Sequence, residues 1–353
     1  MVYNILMFLP SFTITNKILT NIAKIEAAEE IIKNAPLLPL WEKQFKQEAI
    51  VRAVYHGTHL EGNLLNKEEA KDVLLGKEVA ARPRDIQEVI NYRKVIEFID
   101  EEAKKKIEKI TEQLIKKLHK IIIDKLLPPE EQGEYRKKQV VIRNSQTGEV
   151  TFRPPPPIEV PFLMREFVYW LNTWDFQKIH PVLKAGIAHH ELVRIHPFLD
   201  GNGRVARMLA TLILFLGGYD IRRFFSLEEY YDKDAASYYE NLQKASSGDL
   251  TSWLEYFTLG ATTEFERIKE KVLKLSKDIK LKQKIGGQQI FLTERQMKIV
   301  EYIQEVGYLQ NQAFKNLFPD VSEDTILRDL KDLINKGLIK KVGSTKNARY
   351  IMV

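Results

Sequence analysis

One twelve-residue segment of the chain combines residue types that bind phosphate and move protons. It runs from His196 to Arg207 with the sequence His-Pro-Phe-Leu-Asp-Gly-Asn-Gly-Arg-Val-Ala-Arg. Gly201, Asn202 and Gly203 permit a tight turn whose backbone N–H groups converge. At the start of a helix such a turn binds anions, because the helix N-terminus carries partial positive charge. The spacing therefore predicts a phosphate-binding loop.

The charged side chains of the segment fit the same task. Arg204 and Arg207 are three residues apart, so on a helix they share a face and can both reach phosphate oxygens. Asp200 offers a hard oxygen ligand suited to Mg²⁺ on a polyphosphate. His196 titrates near neutral pH and can take a proton from an incoming hydroxyl. Phe198 is the apolar residue expected to hold this loop on the core.

The elements that must position these residues are predicted to be mostly helical. Apolar residues at spacings of three and four indicate helices before residue 130, notably 40–59 and 86–99, and then at 161–174, 181–192, 205–216 and 227–260. Between them, the β-branched residues 140–142 and Val150 and Phe152 flank a polar turn at 144–148, which predicts a hairpin. Pro154 to Pro157 then form a stiff extended exit from it.

The last part of the chain is predicted to be an independent small domain. Residues 263–284 form an amphipathic connector helix, and Gly286-Gly287 marks a break after it. Thr293 and Gln296 form a capping box, Gln312–Phe318 a short second helix, and Ser322 caps a third helix that ends before Gly337. Strands at 338–342 and 348–353 complete a pattern that resembles a winged helix-turn-helix domain.

Composition and charge exclude several classes of protein. The chain has no cysteine, which excludes disulfides and thiol catalysis and fits a reducing, cytoplasmic location. No apolar run is long enough for a spanning helix, the first ten residues lack the basic region of a signal peptide, and no membrane partner is expected. The net charge of +6 resides in residues 263–353, which hold 18 basic and 12 acidic residues. Residues 1–262 are neutral, so general coating of nucleic acid is not expected.

The segment 196–207 resembles in full the signature of the Fic family, His-x-Phe-x-(Asp/Glu)-Gly-Asn-Gly-Arg-x-x-Arg. Further segments similar to Fic-domain landmarks are Gly133-Glu-Tyr-Arg136, the hairpin ending at Phe152 and Pro155, Trp170-Leu-Asn172, and Tyr238-Tyr239-x-x-Leu242 through Trp253. The resemblance implies a mainly all-α fold, with a Fic helical core, a β-hairpin flap and a small C-terminal winged-helix domain. We place an N-terminal helical region at 1–110, the Fic core at 111–262, the connector at 263–287 and the winged-helix domain at 288–353.

The resemblance also implies an activity. Fic proteins of this kind are protein adenylyltransferases, which transfer AMP from ATP to a hydroxyl of a target protein, or of themselves, with pyrophosphate as the leaving group. His196 would be the general base, and Asp200 would hold Mg²⁺ between the α- and β-phosphates. The residues implied to bind the nucleotide are Gly201, Asn202 and Gly203 as the anion hole, Arg204 on phosphate, Arg207 on the γ-phosphate, and Tyr238 or Tyr239 with Asn241 and Leu242 at the adenine. The flap at 140–152 would dock a target segment by strand addition.

An inhibitory motif is also implied. Tyr55-His-Gly-Thr-His-Leu-Glu61-Gly-Asn63 resembles the family's (Ser/Thr)-x-x-x-Glu-(Gly/Asn), in which the glutamate pairs with the second arginine of the signature. Here Glu61 would pair with Arg207 and occupy the γ-phosphate position. The sequence departs from the motif because Gly57, not a serine or threonine, lies four residues before Glu61, and Thr58 lies three before. In related proteins this glutamate can assist removal of AMP, so a reverse reaction stays open.

Two alternatives compete with this interpretation. A metal-dependent hydrolase would use His189, His190, His196 and Asp200, although Pro197 disfavours a helical ligand pair and no zinc spacing is clean. A DNA-binding transcriptional regulator would use the tail. Its proposed recognition helix, 322–336, has a net charge of −1, whereas Lys340, Lys341, Lys346 and Arg349 give the wing +4. The tail is therefore expected to make weak DNA contact, or to dock a protein, including a second copy in a homodimer.

Overall fold

The computed structural model describes residues 8–35, 39–143, 148–173, 179–219, 224–284, 292–343 and 348–353. The chain divides into two units, Met1–Leu273 and Lys274–Val353, and the boundary falls inside a helix. Of the predicted features, turn residues 144–147, Trp174, Gly286-Gly287 and wing residues 344–347 lie outside the described ranges.

The first unit is built from helices and one hairpin. In chain order these are α1 (Asn16–Asn34), α2 (Pro39–His59), α3 (Lys67–Leu74), α4 (Pro83–Lys104), α5 (Glu112–Ile122), β1 (Ile142–Arg143), β2 (Val150–Phe152), α6 (Val160–Asn172), α7 (Pro181–Ile195), α8 (Asn202–Leu216), α9 (Glu228–Lys233), α10 (Ala235–Ala245) and α11 (Thr251–Lys284). The mainly helical prediction is confirmed.

Helices α7 and α8 form the centre of this unit. Every residue of α7 from Val182 to Leu192 is buried, which is typical of a helix surrounded by others. Helices α4 and α5 pack on α8, and α6 packs on α7. At Gly186 a Cβ would lie 2.9 Å from Leu254 of α11, so the glycine permits the close approach of these helices. The indole of Trp253 donates to the Gly186 carbonyl at 2.7 Å.

The hairpin pairs β1 with β2 in antiparallel register, Ile142 opposite Phe152. The predicted strand at 140–142 is therefore shorter than expected at its start. Residues 153–156 belong to no helix or strand and lead toward α6. The hairpin lies within the segment 140–152 that is predicted to be the flap.

Three stretches differ from the periodicity. The predicted helix at 227–260 is three helices. Asp234 separates the first two, because it leaves helical geometry (φ −141°) and caps α10 by accepting from the Ser237 N–H. The predicted connector at 263–284 is not a separate helix but the second half of α11. Helix α8 begins at Asn202 rather than near Val205, because Gly201 serves as its N-cap.

The second unit contains α12 (Glu294–Val306), α13 (Phe314–Leu317), α14 (Glu323–Asn335), β3 (Ile339–Val342) and β4 (Arg349–Met352). Thr293 and Gln296 form the predicted capping box, and Ser322 caps α14. Strands β3 and β4 pair antiparallel, with Ile339 opposite Met352. A core of its own holds this unit together and includes Ile299, Ile303, Phe314, Leu330 and Leu333.

Candidate active site

The loop between α7 and α8 presents His196 through an uncommon backbone conformation. His196 has φ +51° and ψ +58°, in the left-handed region of backbone conformation that residues other than glycine rarely adopt. It caps α7, because its backbone N–H donates to the Leu192 carbonyl at 2.9 Å. Strain of this kind concentrates at functional sites. Pro197 follows and prevents the helix from continuing.

The Asn202 side chain fixes the shape of the loop. Its amide oxygen accepts from the Phe198 N–H and its amide nitrogen donates to the Phe198 carbonyl, both at 2.9 Å. Gly201, at φ +79°, turns the chain into α8. The backbone N–H groups of the first turn of α8 are therefore presented at the loop, as the phosphate-binding prediction requires.

Phe198 is buried, and the imidazole of His119 stacks on its ring with 3.9 Å between centroids. The Gly133 N–H donates to His119 Nδ1 at 2.9 Å, so Nε2 carries the proton and donates to the Asp200 carbonyl at 3.1 Å. Burial lowers the pKa of His119 to about 4, which keeps it neutral. His119 thus supports the loop from α5.

Arg136 ties the loop to the flap. Its Nε donates to the His196 carbonyl at 2.7 Å and its Nη2 donates to the Pro155 carbonyl at 2.5 Å, while its N–H donates to the Pro197 carbonyl at 2.8 Å. The sequence similarity included this residue without assigning it a role. The structure makes it the link between the catalytic loop and the exit of the hairpin.

His196 has the hydrogen-bonding pattern of a base. Its Nδ1 lies 3.2 Å from the Val193 carbonyl, so Nδ1 carries the proton and Nε2 holds a free lone pair. Burial lowers the pKa of His196 to about 4, and the Val193 carbonyl opposes that shift. The imidazole is therefore neutral at physiological pH and can accept a proton.

Four side chains form a closed ring of alternating charge, which we call the charge ring; two come from α4, one from the loop before α8 and one from α8. Arg84 Nη2 lies 2.7 Å from Asp200 Oδ2, and Asp200 Oδ1 lies 3.0 Å from Arg204 Nη2. Arg204 Nη1 lies 3.3 Å from Glu88 Oε1, which lies 3.1 Å from Arg84 Nε. Burial opposes ionisation of Asp200, but Arg204 and Arg84 hold its pKa below the ordinary value. Helix α4 thus supplies half of the ring and the segment 196–207 the other half.

Arg207 is buried and paired with Glu61. Its Nη2 lies 2.9 Å from Glu61 Oε1 and donates to the Gly57 carbonyl at 3.0 Å. Burial alone would lower the pKa of Arg207, and the Glu61 carboxylate holds it well above its ordinary value. A Cβ on Gly203 would lie 2.5 Å from Glu61 Oε1, so the carboxylate packs directly on the glycine turn. The expected contact between Glu61 and Arg207 is present.

The C-terminal end of α2, which precedes Glu61, contacts α9 through hydrogen bonds. His56 and His59 each place Nδ1 on a carboxylate oxygen of Asp232, at 2.8 and 2.7 Å. Glu61 follows in the turn after the helix, with its N–H on the Thr58 carbonyl at 3.0 Å. These contacts hold the glutamate over the loop.

The residues expected at the adenine lie on α10. The Tyr238 hydroxyl lies 3.1 Å from His189 Nε2 within a buried aromatic cluster, and its surroundings include Arg207. Tyr239 is 47% exposed and donates to the Leu60 carbonyl at 3.1 Å. Asn241 donates to the Ser237 carbonyl within its own helix, at 2.8 Å. Tyr239 is thus the accessible member, and Tyr238 faces the arginine.

His189 and His190 are buried on α7, and His189 stacks on the Trp253 indole at 5.0 Å. Burial lowers the pKa of both imidazoles, that of His190 to about 4. Among the residues that the structure describes, no group of three His, Asp or Glu side chains is arranged to hold a metal ion. The ligand set required by the metal-hydrolase alternative is not formed there.

The sequence reasoning missed Arg84, Glu88 and His119, and it quoted Arg136 without a role. The first three lie on helices α4 and α5, far from the signature in sequence, and no local pattern marks them. A buried ion-pair network does follow from Arg204 being fully buried, since a buried charge requires partners.

Comparisons with known proteins agree with the resemblance drawn from the sequence. Residues 109–214 match the model of the Fic/DOC family, and residues 295–344 match the DeoR-like helix-turn-helix domain. Both resemblances predicted from the sequence, to the Fic family and to a helix-turn-helix domain, are confirmed over these residues.

Two curated relatives are the protein adenylyltransferase Fic of Drosophila grimshawi and that of Drosophila virilis. Each is 32% identical over 220 residues, which is 61% of this chain and 42% or 41% of the relative. The chain thus spans about two fifths of the length of these relatives.

Solved structures share the fold. A Fic family protein from Desulfovibrio desulfuricans has a TM-score of 0.65 at 24% identity and covers 98% of both chains. A Fic domain containing signaling protein from Bacteroides thetaiotaomicron has a TM-score of 0.60 at 26% identity, over 74% of this chain and 97% of that one. Fic-1 from C. elegans has a TM-score of 0.60 at 25% identity, over 72% and 73%.

Proposed function

We propose that this protein transfers AMP from ATP to a hydroxyl of a protein side chain. The proposal rests mainly on the loop 196–203, which brings together a neutral imidazole and the N-terminus of α8, next to the buried side chains of Arg204 and Arg207. Within the described residues, Nε of Arg204 and Nε and Nη1 of Arg207 are buried and have no hydrogen-bond partner. Buried N–H groups without partners are costly, and phosphate oxygens would satisfy them.

In the proposed reaction His196 is the general base. Nε2 takes the proton of the target hydroxyl while that oxygen forms a bond to the α-phosphorus of ATP. The bond from the α-phosphorus to the bridging oxygen breaks, and pyrophosphate leaves. Such transfers depend on positioning and charge neutralisation more than on covalent catalysis. The backbone of Gly201, Asn202 and Gly203 would bind the phosphate oxygens, with Arg204 beside them.

Arg207 would bind the γ-phosphate, and Tyr239 with Asn241 would contact the adenine. Tyr238 would also line the nucleotide site, next to Arg207. The donor being ATP rather than another nucleotide rests on the relatives' name, protein adenylyltransferase Fic.

Asp200 would hold Mg²⁺ on the phosphates. Its carboxylate is 34% exposed and ionised, and a single protein carboxylate combined with substrate phosphates is a common way to bind this ion. The ion would neutralise charge on the phosphates. Arg84 pairs with the same carboxylate and would yield its place.

Glu61 would inhibit the protein by holding Arg207. A carboxylate at 2.9 Å from the guanidinium occupies the position that a terminal phosphate would take. We also propose that the protein could remove AMP from a modified target, with Glu61 assisting this reverse reaction.

The target would dock on the flap. Strand β2 carries an outer edge that an extended segment of another protein, or of a second copy, can pair with.

Within the described residues no helix is both long and apolar enough to cross a lipid bilayer. We infer a cytoplasmic location from the absence of cysteine.

The test is incubation with Mg²⁺, ATP labelled in the α-phosphate and a cell extract, followed by mass spectrometry of the modified residue. His196→Ala is expected to lose at least about 100-fold in AMP incorporation, since general bases contribute that much. Glu61→Gly is expected to raise incorporation, and Glu61→Gln should raise it less, because an amide keeps one hydrogen bond to Arg207. Thermal unfolding of each variant controls for loss of structure. Equal incorporation by parent, His196→Ala and Glu61→Gly would refute the proposal.

DNA binding by the tail is the second candidate, favoured by the DeoR-like match. The structure changes the charge argument for α14. Asp329 pairs with Arg295, and Asp332 pairs with Lys336 and accepts from Gln296 at 2.7 Å. Both acidic residues are therefore paired within the domain, although the Asp332 side chain remains 45% exposed. Arg328 and Lys331 are exposed on α14, and the acidic residues Glu323 and Asp324 lie in its first turn.

A further inference from the structure

Gly57 lies where the resemblance leads one to expect a hydroxyl side chain. A Cβ built on Gly57 would lie 2.3 Å from Cζ and 2.4 Å from the hydroxyl oxygen of Tyr92 on α4. No side chain fits there while Tyr92 keeps its place. Thr58 does not supply the missing group, because its hydroxyl donates to the Val54 and Tyr55 carbonyls of its own helix, at 2.9 and 3.1 Å.

Tyr92 brings a hydroxyl to this position from a different helix. Its side chain is 1% exposed, and its hydroxyl donates to Glu228 Oε1 at 3.1 Å. Glu228 in turn accepts from the Ser226 hydroxyl at 3.0 Å, so the carboxylate is fixed. Because the Tyr92 proton points at Glu228, a lone pair of its oxygen is available on the other side.

Arg207 lies beside Gly57 and Tyr92. Its guanidinium donates to the Gly57 carbonyl at 3.0 Å, next to the Tyr92 ring. The interaction of the Tyr92 hydroxyl with the guanidinium adds to those that raise the pKa of Arg207. The oxygen atoms around Arg207 therefore include the Glu61 carboxylate and two neutral groups contributed at this contact, the Gly57 carbonyl and the Tyr92 hydroxyl.

We propose that Tyr92 is a positioning residue for Arg207, and that its hydroxyl takes the place of the side-chain hydroxyl absent at Gly57. This inference rests on the proposed function, in which Arg207 binds the terminal phosphate. A phosphate would displace Glu61, since both are anions competing for the same donors. It would not displace the Gly57 carbonyl or Tyr92, which are neutral and buried. These two groups keep the guanidinium oriented when Glu61 leaves. The entropic cost of ordering the Arg207 side chain is therefore not added to the free energy of nucleotide binding.

The test measures binding in the Glu61→Gly background, so that inhibition does not mask the effect. Tyr92→Phe is compared with Tyr231→Phe, which removes an equally buried hydroxyl that has no hydrogen-bond partner among the described residues. Calorimetry with Mg²⁺ gives the affinity for an ATP analogue with a methylene group between the α- and β-phosphorus, and for AMP. Tyr92→Phe should weaken the analogue about 3- to 10-fold, the range of one lost hydrogen bond. AMP, which lacks the terminal phosphate, should change less than about twofold.

Each outcome bears on the inference. Equal weakening of AMP and of the analogue would mean a general loss of structure, and unchanged affinity for the analogue would mean that Tyr92 does not position Arg207; both overturn it. Should Tyr92→Phe unfold, Glu228→Gln provides the second test, because it weakens the acceptor that orients the hydroxyl and should cause the same selective loss. If the Glu61→Gly protein binds no ATP analogue at all, the proposed function itself fails, and that result is distinct from an effect confined to Tyr92→Phe.

Discussion

His196 combines a left-handed backbone conformation with a neutral imidazole that has one free nitrogen. The backbone aims the ring out of the end of α7, and the Val193 carbonyl selects the tautomer. In the proposed reaction, the fold would thus prepare the base before any substrate is present, which is what efficient proton transfer requires.

The low pKa of His196 predicts an unusual pH dependence. A base acts in its unprotonated form, so its activity is lost as the pH falls through its pKa, here about 4 instead of the ordinary 6.5. The kcat of Glu61→Gly is expected to change less than about twofold between pH 7.5 and 6.0, whereas an ordinary histidine would lose about fourfold over this interval. A rate profile at saturating ATP measures this. An acid limb centred near pH 6.5 would contradict the prediction.

For single residues, the sequence predicted those site residues that are close together in the chain. The residue types and spacing within 196–207 were sufficient to predict a phosphate-binding loop, because the residues that would bind phosphate all lie in that segment. Arg84 lies 116 residues before Asp200, and its contact depends on where α4 packs. Side-chain pairing across such a distance has no local signature, and neither Tyr92 nor Glu88 could be predicted.

Helices α2 and α4 approach each other at Gly57, where the ring of Tyr92 fills the space of a side chain. A glycine inside a helix costs about 1 kcal/mol relative to alanine, so its use indicates a packing requirement. The close approach brings Glu61 and the charge ring to the same loop.

Replacement of Gly57 by alanine tests this contact. Gly57→Ala is expected to destabilise the protein by about 1–3 kcal/mol despite the better helix propensity, because Tyr92 has to move. In a Tyr92→Val background the same replacement should be neutral or stabilising, since the space is open. Urea unfolding of the four proteins in this cycle gives the coupling energy. Equal costs of Gly57→Ala in both backgrounds would show that the ring is not the obstacle.

Most elements followed from apolar spacing, because the buried faces of helices such as α4 and α6 repeat every three to four residues. The break at Asp234 was missed, since an aspartate is tolerated in a helix and also caps one. Which of the two occurs depends on tertiary packing. The length of α11 was missed for the opposite reason, as nothing in the sequence near 262 ends a helix.

For the whole molecule, the distribution of charge separates two kinds of chemistry. The first 262 residues are neutral and concentrate buried arginines at one loop, whereas the excess of +6 lies in residues 263–353. The sequence count made α14 acidic. The structure shows that Asp329 and Asp332 are paired within the domain, and pairing of this kind cannot be derived from counts.

The tail is expected to bind duplex DNA weakly and mainly through phosphates. Binding by the full chain should weaken steeply with salt, with a logarithmic slope of about −2 to −4 for two to four phosphate contacts. Charge reversal at the exposed wing residues, Lys340→Glu with Lys341→Glu, should reduce affinity and flatten this slope. A control with the same net charge, Lys17→Glu with Lys33→Glu on α1, should change both much less. A gel-shift series in salt measures this, and the absence of binding at low salt would favour protein docking instead.

The charge ring has a consequence for how this protein can be inherited. Arg84 and Glu88 lie before residue 109, where the recognisable Fic region begins, and Asp200 and Arg204 lie inside it. The piece of chain that must be transmitted intact is therefore larger than the piece that sequence similarity reveals. A recombination event that joined residues 109–214 to a foreign N-terminal region would remove Glu88 and leave the buried Arg204 guanidinium without this carboxylate partner. Lineages that keep the loop are expected to keep α4 with it, and a change at one corner of the ring should be followed by a change at its partner on the other helix.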